Sequence, residues 1–82
     1  MNLYVSNFAK DVTEEDLQEL FEHYGDVKMV TIYIDFETGE SRGFGFVHIR
    51  DDRDGREAID SLDGTFWHGK HLKVSEAQKR RY

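Results

Sequence analysis

The segment from Arg42 to Ile49 constrains the fold most, because its side chains alternate in character at every step. One alternating set is small or aliphatic and consists of Gly43, Gly45, Val47 and Ile49. The other set is basic or aromatic and consists of Arg42, Phe44, Phe46 and His48. Successive side chains of a β-strand point to opposite faces of its sheet. The alternation therefore predicts a strand with one face in a core and the other face uncovered, since unpaired buried charge is costly.

The rest of the chain predicts three more strands and two helices. Strands are predicted at residues 3–8, 27–34 and 71–75, with irregular pleating near residues 28–29. The first helix is expected to begin at Thr13, whose hydroxyl can cap the amide of Asp16, and to end at a left-handed Gly25. The second helix is predicted to run from Asp51 to Leu62.

This β-α-β-β-α-β order predicts an α+β fold, a ferredoxin-like sandwich in which two helices cover one face of a four-stranded antiparallel sheet. Right-handed crossovers then place the first and third strands at the centre of the sheet. Gly43 and Gly45 are expected to let a helix approach the sheet closely. A chain of 82 residues can bury one core, so we predict a single domain at residues 1–78 and a short basic tail at residues 79–82.

Three aromatic side chains are predicted on the uncovered face of the sheet. Tyr4 has the opposite parity to Leu3 and Val5, and its strand lies beside the one that carries Phe44 and Phe46. A patch of large exposed rings ordinarily marks a binding surface. The alternative is that the three rings only pack against one another or under an ordered tail.

The uneven distribution of charge changes what the net charge implies about a nucleic-acid partner. Eleven basic against 17 acidic residues give −6, which taken alone counts against a nucleic-acid partner. However, thirteen of the acids lie on the predicted helices and their flanks. The predicted strands carry no acid, and their basic groups are Lys28, Arg42, His48, His71 and Lys73. Rings interleaved with a few cations are typical of a surface that binds single-stranded nucleic acid.

Two segments resemble the signature motifs of one family. Arg42 to Ile49 matches the octapeptide of the RNA recognition motif at seven of eight positions, and residues 3–8, Leu-Tyr-Val-Ser-Asn-Phe, match its hexapeptide. The resemblance extends over residues 3–77. The chain as a whole is similar to small single-motif RNA-binding proteins of bacteria and organelles. A motif excised from a longer protein would look the same.

The resemblance implies a role for each signature position. The rings at Tyr4 and Phe44 are expected to stack on two successive bases, and Phe46 is expected to pack against the sugars between them. Arg42 is expected to contact a phosphate. Ile49 stands where Phe or Tyr is usual, and its inward parity predicts a change in core packing alone.

Groups around the rings are the candidates for base preference, because stacking itself tolerates any base. They are Ser6, Thr31, Tyr33, His48 and His71, with Lys73 as a further cation on the same face. Phe36 and Phe66 stand where polar residues are more usual, and each either extends the binding surface or covers its own loop.

One alternative function uses the same fold to bind a protein. Some relatives of this motif bind a partner peptide through an acidic first helix and an Arg-x-Phe sequence before the last strand. This chain has the acidic helix, but Gly64 stands where the arginine before Phe66 would be needed.

The sequence favours no enzyme, cofactor or metal. The loop at residues 7–12 lacks the arginine of a phosphatase cradle, and the chain has no cysteine. His68 and His71 form an H-x-x-H pair without an evident third ligand. No apolar run is long enough for a membrane span, and no signal peptide is recognisable. We therefore expect an intracellular, cytoplasmic monomer whose partner is single-stranded RNA or single-stranded DNA, with no membrane.

Overall fold

The computed structural model describes residues 1–77, so the predicted basic tail at residues 79–82 lies outside the described residues. The elements are β1 Asn2–Ser6, α1 Glu14–Glu22, β2 Val27–Ile34, β3 Ser41–Ile49, α2 Asp52–Leu62, β4 Phe66–Trp67, β5 Lys70–His71 and β6 Lys73–Glu76. The predicted order of two helices and four main strands is confirmed. The short hairpin of β4 and β5 was not predicted.

The four main strands form one antiparallel sheet in the order β2-β3-β1-β6. This order puts β1 and β3 at the centre and confirms the ferredoxin-like α+β fold. The pairing of β2 with β3 shifts register between Val27 and Met29 and again between Ile32 and Ile34. The first shift is the irregular pleating predicted near residues 28–29.

The core lies between the sheet and the two helices, as strand parity predicted. The buried residues of the strands are Leu3, Val5, Val47, Ile49 and Val74, and Leu72, between β5 and β6, is buried with them. They pack against Leu17 and Phe21 of α1 and Ala58 and Leu62 of α2. Ile49 is fully buried, so its departure from the family pattern lies in the core. Among the described residues, neither helix has the length and apolar character needed to cross a bilayer.

Helix α1 begins as predicted and ends differently. The Thr13 hydroxyl accepts from the Asp16 amide at 3.2 Å, and the Asp16 carboxylate accepts from the Thr13 amide at 3.0 Å. The bond from the Thr13 N–H lowers the pKa of Asp16 below its ordinary value, because it favours the ionised carboxylate. The prediction of a left-handed Gly25 is wrong: its φ is not positive. Glycine is needed there because a Cβ would lie 2.6 Å from that of Asp54 on α2.

The expectation that Gly43 and Gly45 make room for a helix is also wrong. A Cβ on Gly45 would overlap the backbone carbonyl oxygen of Thr31, which belongs to the neighbouring strand β2. Gly43 has a φ of +78°, a conformation that side chains with a Cβ rarely adopt. The backbone geometry of the sheet itself, rather than a nearby helix, therefore requires glycine at both positions.

The last predicted strand, residues 71–75, divides into two elements. His71 pairs with Phe66 in the β4–β5 hairpin, whose turn residues His68 and Gly69 both have positive φ. The edge strand of the main sheet is β6, and it includes Glu76. The prediction that the strands carry no acid is therefore wrong. Glu76 is paired with Leu3, a residue that faces the helices, so it lies on the side away from the rings.

Candidate nucleic-acid interface

The three predicted rings meet at the centre of the open face. Tyr4 on β1 is directly opposite Phe46 on β3, and their ring centroids are 5.4 Å apart. Tyr4 also lies 6.1 Å from Phe44. The interplanar angles of 55° and 44° show tilted contacts rather than parallel stacking. The rings therefore hold one another in place without being sandwiched.

A fourth ring, Tyr33 of β2, completes this cluster. Its centroid is 5.2 Å from that of Phe44 and 5.6 Å from that of Phe46, both in edge-on geometry. The ring is 43% exposed. The sequence predicted Tyr33 only as a polar group near the patch, whereas the structure makes it part of the aromatic surface. We call Tyr4, Tyr33, Phe44 and Phe46 the ring cluster.

Arg42 extends the ring cluster toward the loop between β2 and β3. Its guanidinium carbon lies 5.7 Å from the centroid of Phe44, within the range of a cation–π contact. An open depression beside it is lined by Lys10, Asp35, Thr38, Glu40, Ser41 and Arg42. In this depression Lys10 Nζ and Glu40 Oε2 form an ion pair at 3.2 Å. Arg42 is thus placed to meet an anion, but beside acids that oppose one.

Polar groups surround the ring cluster on the same face. Ser6 is opposite Phe44 on one side and Lys73 on the other, while Thr31 is opposite Phe46. These register pairs put the hydroxyls of Ser6 and Thr31 next to the rings, where the sequence predicted them.

His48 lies at the far end of the open face. Its Nδ1 is 2.5 Å from Oδ1 of Asn2, so Nδ1 donates and Nε2 of the neutral ring is an acceptor. On the other side it is opposite Met29, whose side chain is 64% exposed. Sequence reasoning missed Met29 because it lies in the irregular pleating predicted near residues 28–29, although its pairing is continuous with that of Val30 and Thr31.

Lys73 and His71 border a second open depression, of about 460 Å³, beside Tyr4. Its other lining residues are Ser6, Asp63, Gly64, Leu72, Val74 and Ser75. Lys73 lies on β6 as predicted. His71 belongs to the β4–β5 hairpin, so its predicted place on the main sheet is wrong, although it remains next to the open face.

The separation of charge by layers is largely as predicted. Lys28 differs from the other predicted cations, because its Nζ already forms an ion pair with Asp26 Oδ2 at 3.4 Å.

On the opposite side of the molecule, a groove between α1 and the hairpin is lined by Asp16, Glu19, Leu20, His23, Trp67 and His68. Within residues 1–77, no group of three or more His, Cys, Asp or Glu side chains is arranged to hold a metal ion.

Known proteins share this sequence and architecture. The sequence profile of the RNA recognition motif matches residues 3–73. RbpB of Nostoc sp., named as a candidate RNA-binding protein, is 49% identical over 80 residues, which are 98% of this chain and 78% of that protein.

Two solved structures carry the same fold. The crystal structure of RNA binding protein PG1 is 45% identical, has a TM-score of 0.93 and is matched over 100% of this chain and 99% of that one. A chain of the SXL-lethal protein/RNA complex is 35% identical, with a TM-score of 0.90 over 98% of this chain and 48% of that one.

Proposed function

The chain belongs to the RNA recognition motif family, and from this premise we propose that it binds single-stranded RNA on the open face of its sheet. Bases stack on Tyr4 and Phe44, and Phe46 packs against the sugars between them. The observation that carries the proposal is the ring cluster itself: four rings from three adjacent strands contact one another on the face that the helices leave uncovered. The activity is binding without catalysis.

The charged and polar groups of the face support the same proposal. Arg42 lies beside Phe44, and Lys73 lies on β6 in the same cross-strand row as Ser6 and Phe44, where each cation can neutralise a phosphate. Ser6, Thr31, Tyr33 and His48 present hydrogen-bonding groups near the rings, and such groups distinguish bases that stacking does not. His71 does the same from the hairpin.

The similarity of this chain to proteins with an RNA partner also supports the proposal. The similar SXL-lethal protein was solved in complex with RNA, and both RbpB and PG1 carry RNA binding in their names. We extend that partner to this chain because its own ring cluster has the chemistry that unpaired bases require. Binding to single-stranded DNA, a monomeric state, a cytoplasmic location and the domain limit at residue 78 stay predictions.

A titration followed by NMR tests the proposal. Labelled single-stranded RNA of mixed sequence is added, and the backbone amide shifts of the whole chain are recorded. We expect the largest changes on β1 and β3, around Tyr4, Phe44 and Phe46. Changes confined to α1 would contradict the proposal and favour a peptide partner at the acidic helix. Repeating the titration with DNA of the same sequence measures the contribution of the 2′-hydroxyls.

Replacing Glu40 by glutamine is expected to tighten RNA binding about two- to threefold at low salt. The change removes an acid beside Arg42 and releases Lys10 from an exposed ion pair. Exposed pairs contribute only about 0.2–1 kcal/mol, which limits the gain. Fluorescence anisotropy over a range of salt concentrations measures it, and the salt dependence should become steeper.

The matched control for this variant is Glu57→Gln on α2, which removes an equal charge from the opposite layer. The control distinguishes an effect of the charges near Arg42 from an effect of the net charge of the protein. Equal gains in both variants would mean that only the net charge matters, and that Arg42 and Lys10 have no local role.

A further inference from the structure

We propose that the β4–β5 hairpin, together with the depression beside Tyr4, forms a binding subsite for one additional unpaired nucleotide of the same RNA. This inference rests on the proposed function and extends it beyond the two signature segments. We call Phe66, His71 and the depression between His71 and Tyr4 the hairpin subsite.

The hairpin presents an exposed aromatic pair. Phe66 of β4 is directly opposite His71 of β5, with ring centroids 5.2 Å apart in edge-on geometry. Phe66 is 67% exposed although it is one of the largest apolar side chains of the molecule. An edge-on partner restrains a ring without covering both of its faces. Phe66 is therefore available for stacking in the way that the rings of the main cluster are.

A hydrogen bond holds the His71 ring in one orientation and selects one tautomer of its neutral form. Its Nδ1 lies 3.1 Å from the carbonyl oxygen of Gly64, an atom that can only accept, so Nδ1 carries the proton and donates it. The neutral ring therefore has a lone pair on Nε2, an acceptor for an amino or imino group of a base. The carbonyl of His71 accepts from Nδ2 of Asn7 at 2.8 Å, which ties the hairpin to the end of β1.

Backbone hydrogen bonds also close the base of the hairpin. The amide of Gly64 donates to the Leu72 carbonyl at 2.7 Å, and the amide of Leu72 donates to the Thr65 carbonyl at 2.8 Å. A subsite on such a fixed element loses little conformational freedom when a ligand binds.

The depression is continuous with the ring cluster, because Tyr4 and Ser6 line it on one side and His71 on the other. Its volume of about 460 Å³ lies within the range of pockets that hold small organic groups. A base that leaves the Tyr4 ring therefore reaches this depression without crossing another surface.

The lining of the depression fits a nucleotide. Lys73 at its edge on β6 is a cation for a phosphate. Asp63 also lines it, but one carboxylate oxygen already accepts from the Val74 amide at 3.0 Å. The Asp63 carboxylate and the His71 Nε2 are both acceptors, so they suit the N–H groups of a base rather than another anion. Together with Lys73, they favour a nucleotide over a purely apolar ligand.

Oligonucleotide length separates this subsite from the ring cluster. We measure the affinity of wild type and of Phe66→Ala for labelled mixed-sequence RNAs of three, five and seven nucleotides. The variant is expected to bind the three-nucleotide RNA as wild type does and the longest RNA at least about fivefold more weakly. Fivefold corresponds to about 1 kcal/mol, the lower end of base–aromatic stacking. The ring is exposed, so its removal leaves the core unchanged.

The matched control is Phe36→Ala, the same substitution at a 93% exposed ring in the connection that follows β2, at the opposite edge of the sheet. It should retain the affinity of wild type at every length. Unchanged affinity of Phe66→Ala at all lengths, or an equal loss in both variants, would overturn the hairpin subsite and leave the ring cluster unaffected. A wild-type protein that binds none of the RNAs would instead defeat the proposed function.

NMR gives a second readout that does not depend on a variant. The amides of residues 64–72 and the ring nitrogens of His71 are expected to shift with the seven-nucleotide RNA and to stay unchanged with the three-nucleotide RNA. Equal shifts with both lengths, or none with either, contradict the hairpin subsite.

Discussion

Tyr4→Ala is expected to lower the affinity for single-stranded RNA at least tenfold while the protein stays folded. A base stacked on an aromatic side chain contributes about 1–3 kcal/mol, and about 1.4 kcal/mol is a factor of ten. Tyr4 also contacts Phe44 and Phe46, so its removal takes away a neighbour that holds both of those rings. The side chain lies on the open face and outside the core, so the fold does not depend on it. Fluorescence anisotropy measures the affinity, and circular dichroism checks the fold.

Two further variants make this result specific. Tyr4→Phe keeps the ring and removes only the hydroxyl, so it should bind nearly as tightly as wild type if stacking is the main contribution. Phe46→Ala removes the ring directly opposite Tyr4 and should also lose at least a factor of ten. Undiminished binding by both alanine variants would refute the assignment of the ring cluster as the RNA interface.

The sequence was sufficient to predict these three rings because their strands are regular. The pairing of residues 2–6 of β1 with residues 44–48 of β3 is unbroken, and a single parity assignment there separates Val47 in the core from Phe46 on the open face. The same assignment placed Ile49 inside. The helix start at Thr13 was equally predictable, because a capping box depends only on residues three apart.

Met29 could not be assigned in this way, because β2 changes register just before it, and Tyr33 was assigned to the open face only as a polar group. One shift lies between Val27 and Met29 and another between Ile32 and Ile34, and each interrupts the alternation with β3. Parity counted from Val27, which is opposite Ile49, would put Met29 in the core, whereas its pairing with His48 puts it on the open face. The edge-on contacts of Tyr33 with Phe44 and Phe46 became visible only in the structure.

The hairpin was missed for a different reason. Its strands, Phe66–Trp67 and Lys70–His71, have two residues each, too few for a periodic pattern. The available signal was Gly69, which follows His68 in a two-residue turn where both φ angles are positive. The turn places His71 beside Phe66 rather than on the main sheet, and the hairpin subsite depends on that placement.

Gly45→Ala is expected to lower the free energy of unfolding by about 3 kcal/mol or more, the upper part of the range for overpacked sites. A Cβ at this position would overlap the carbonyl oxygen of Thr31, which belongs to the backbone of β2 and has no rotamer to adopt instead. The strands must therefore separate locally, at the central pairing of Gly45 with Ile32. Chemical denaturation followed by circular dichroism measures the change.

The matched control is Gly39→Ala in the connection between β2 and β3. Gly39 has a φ of +76°, but an added Cβ there would meet nothing within 4 Å. Its cost is only that of a left-handed alanine, about 1–2 kcal/mol. The pair of variants thus separates steric overlap from backbone conformation. If Gly45→Ala costs no more than Gly39→Ala, β2 can move away from β3 with little loss, and the ring cluster, which spans both strands, is less rigid than its four mutual contacts indicate.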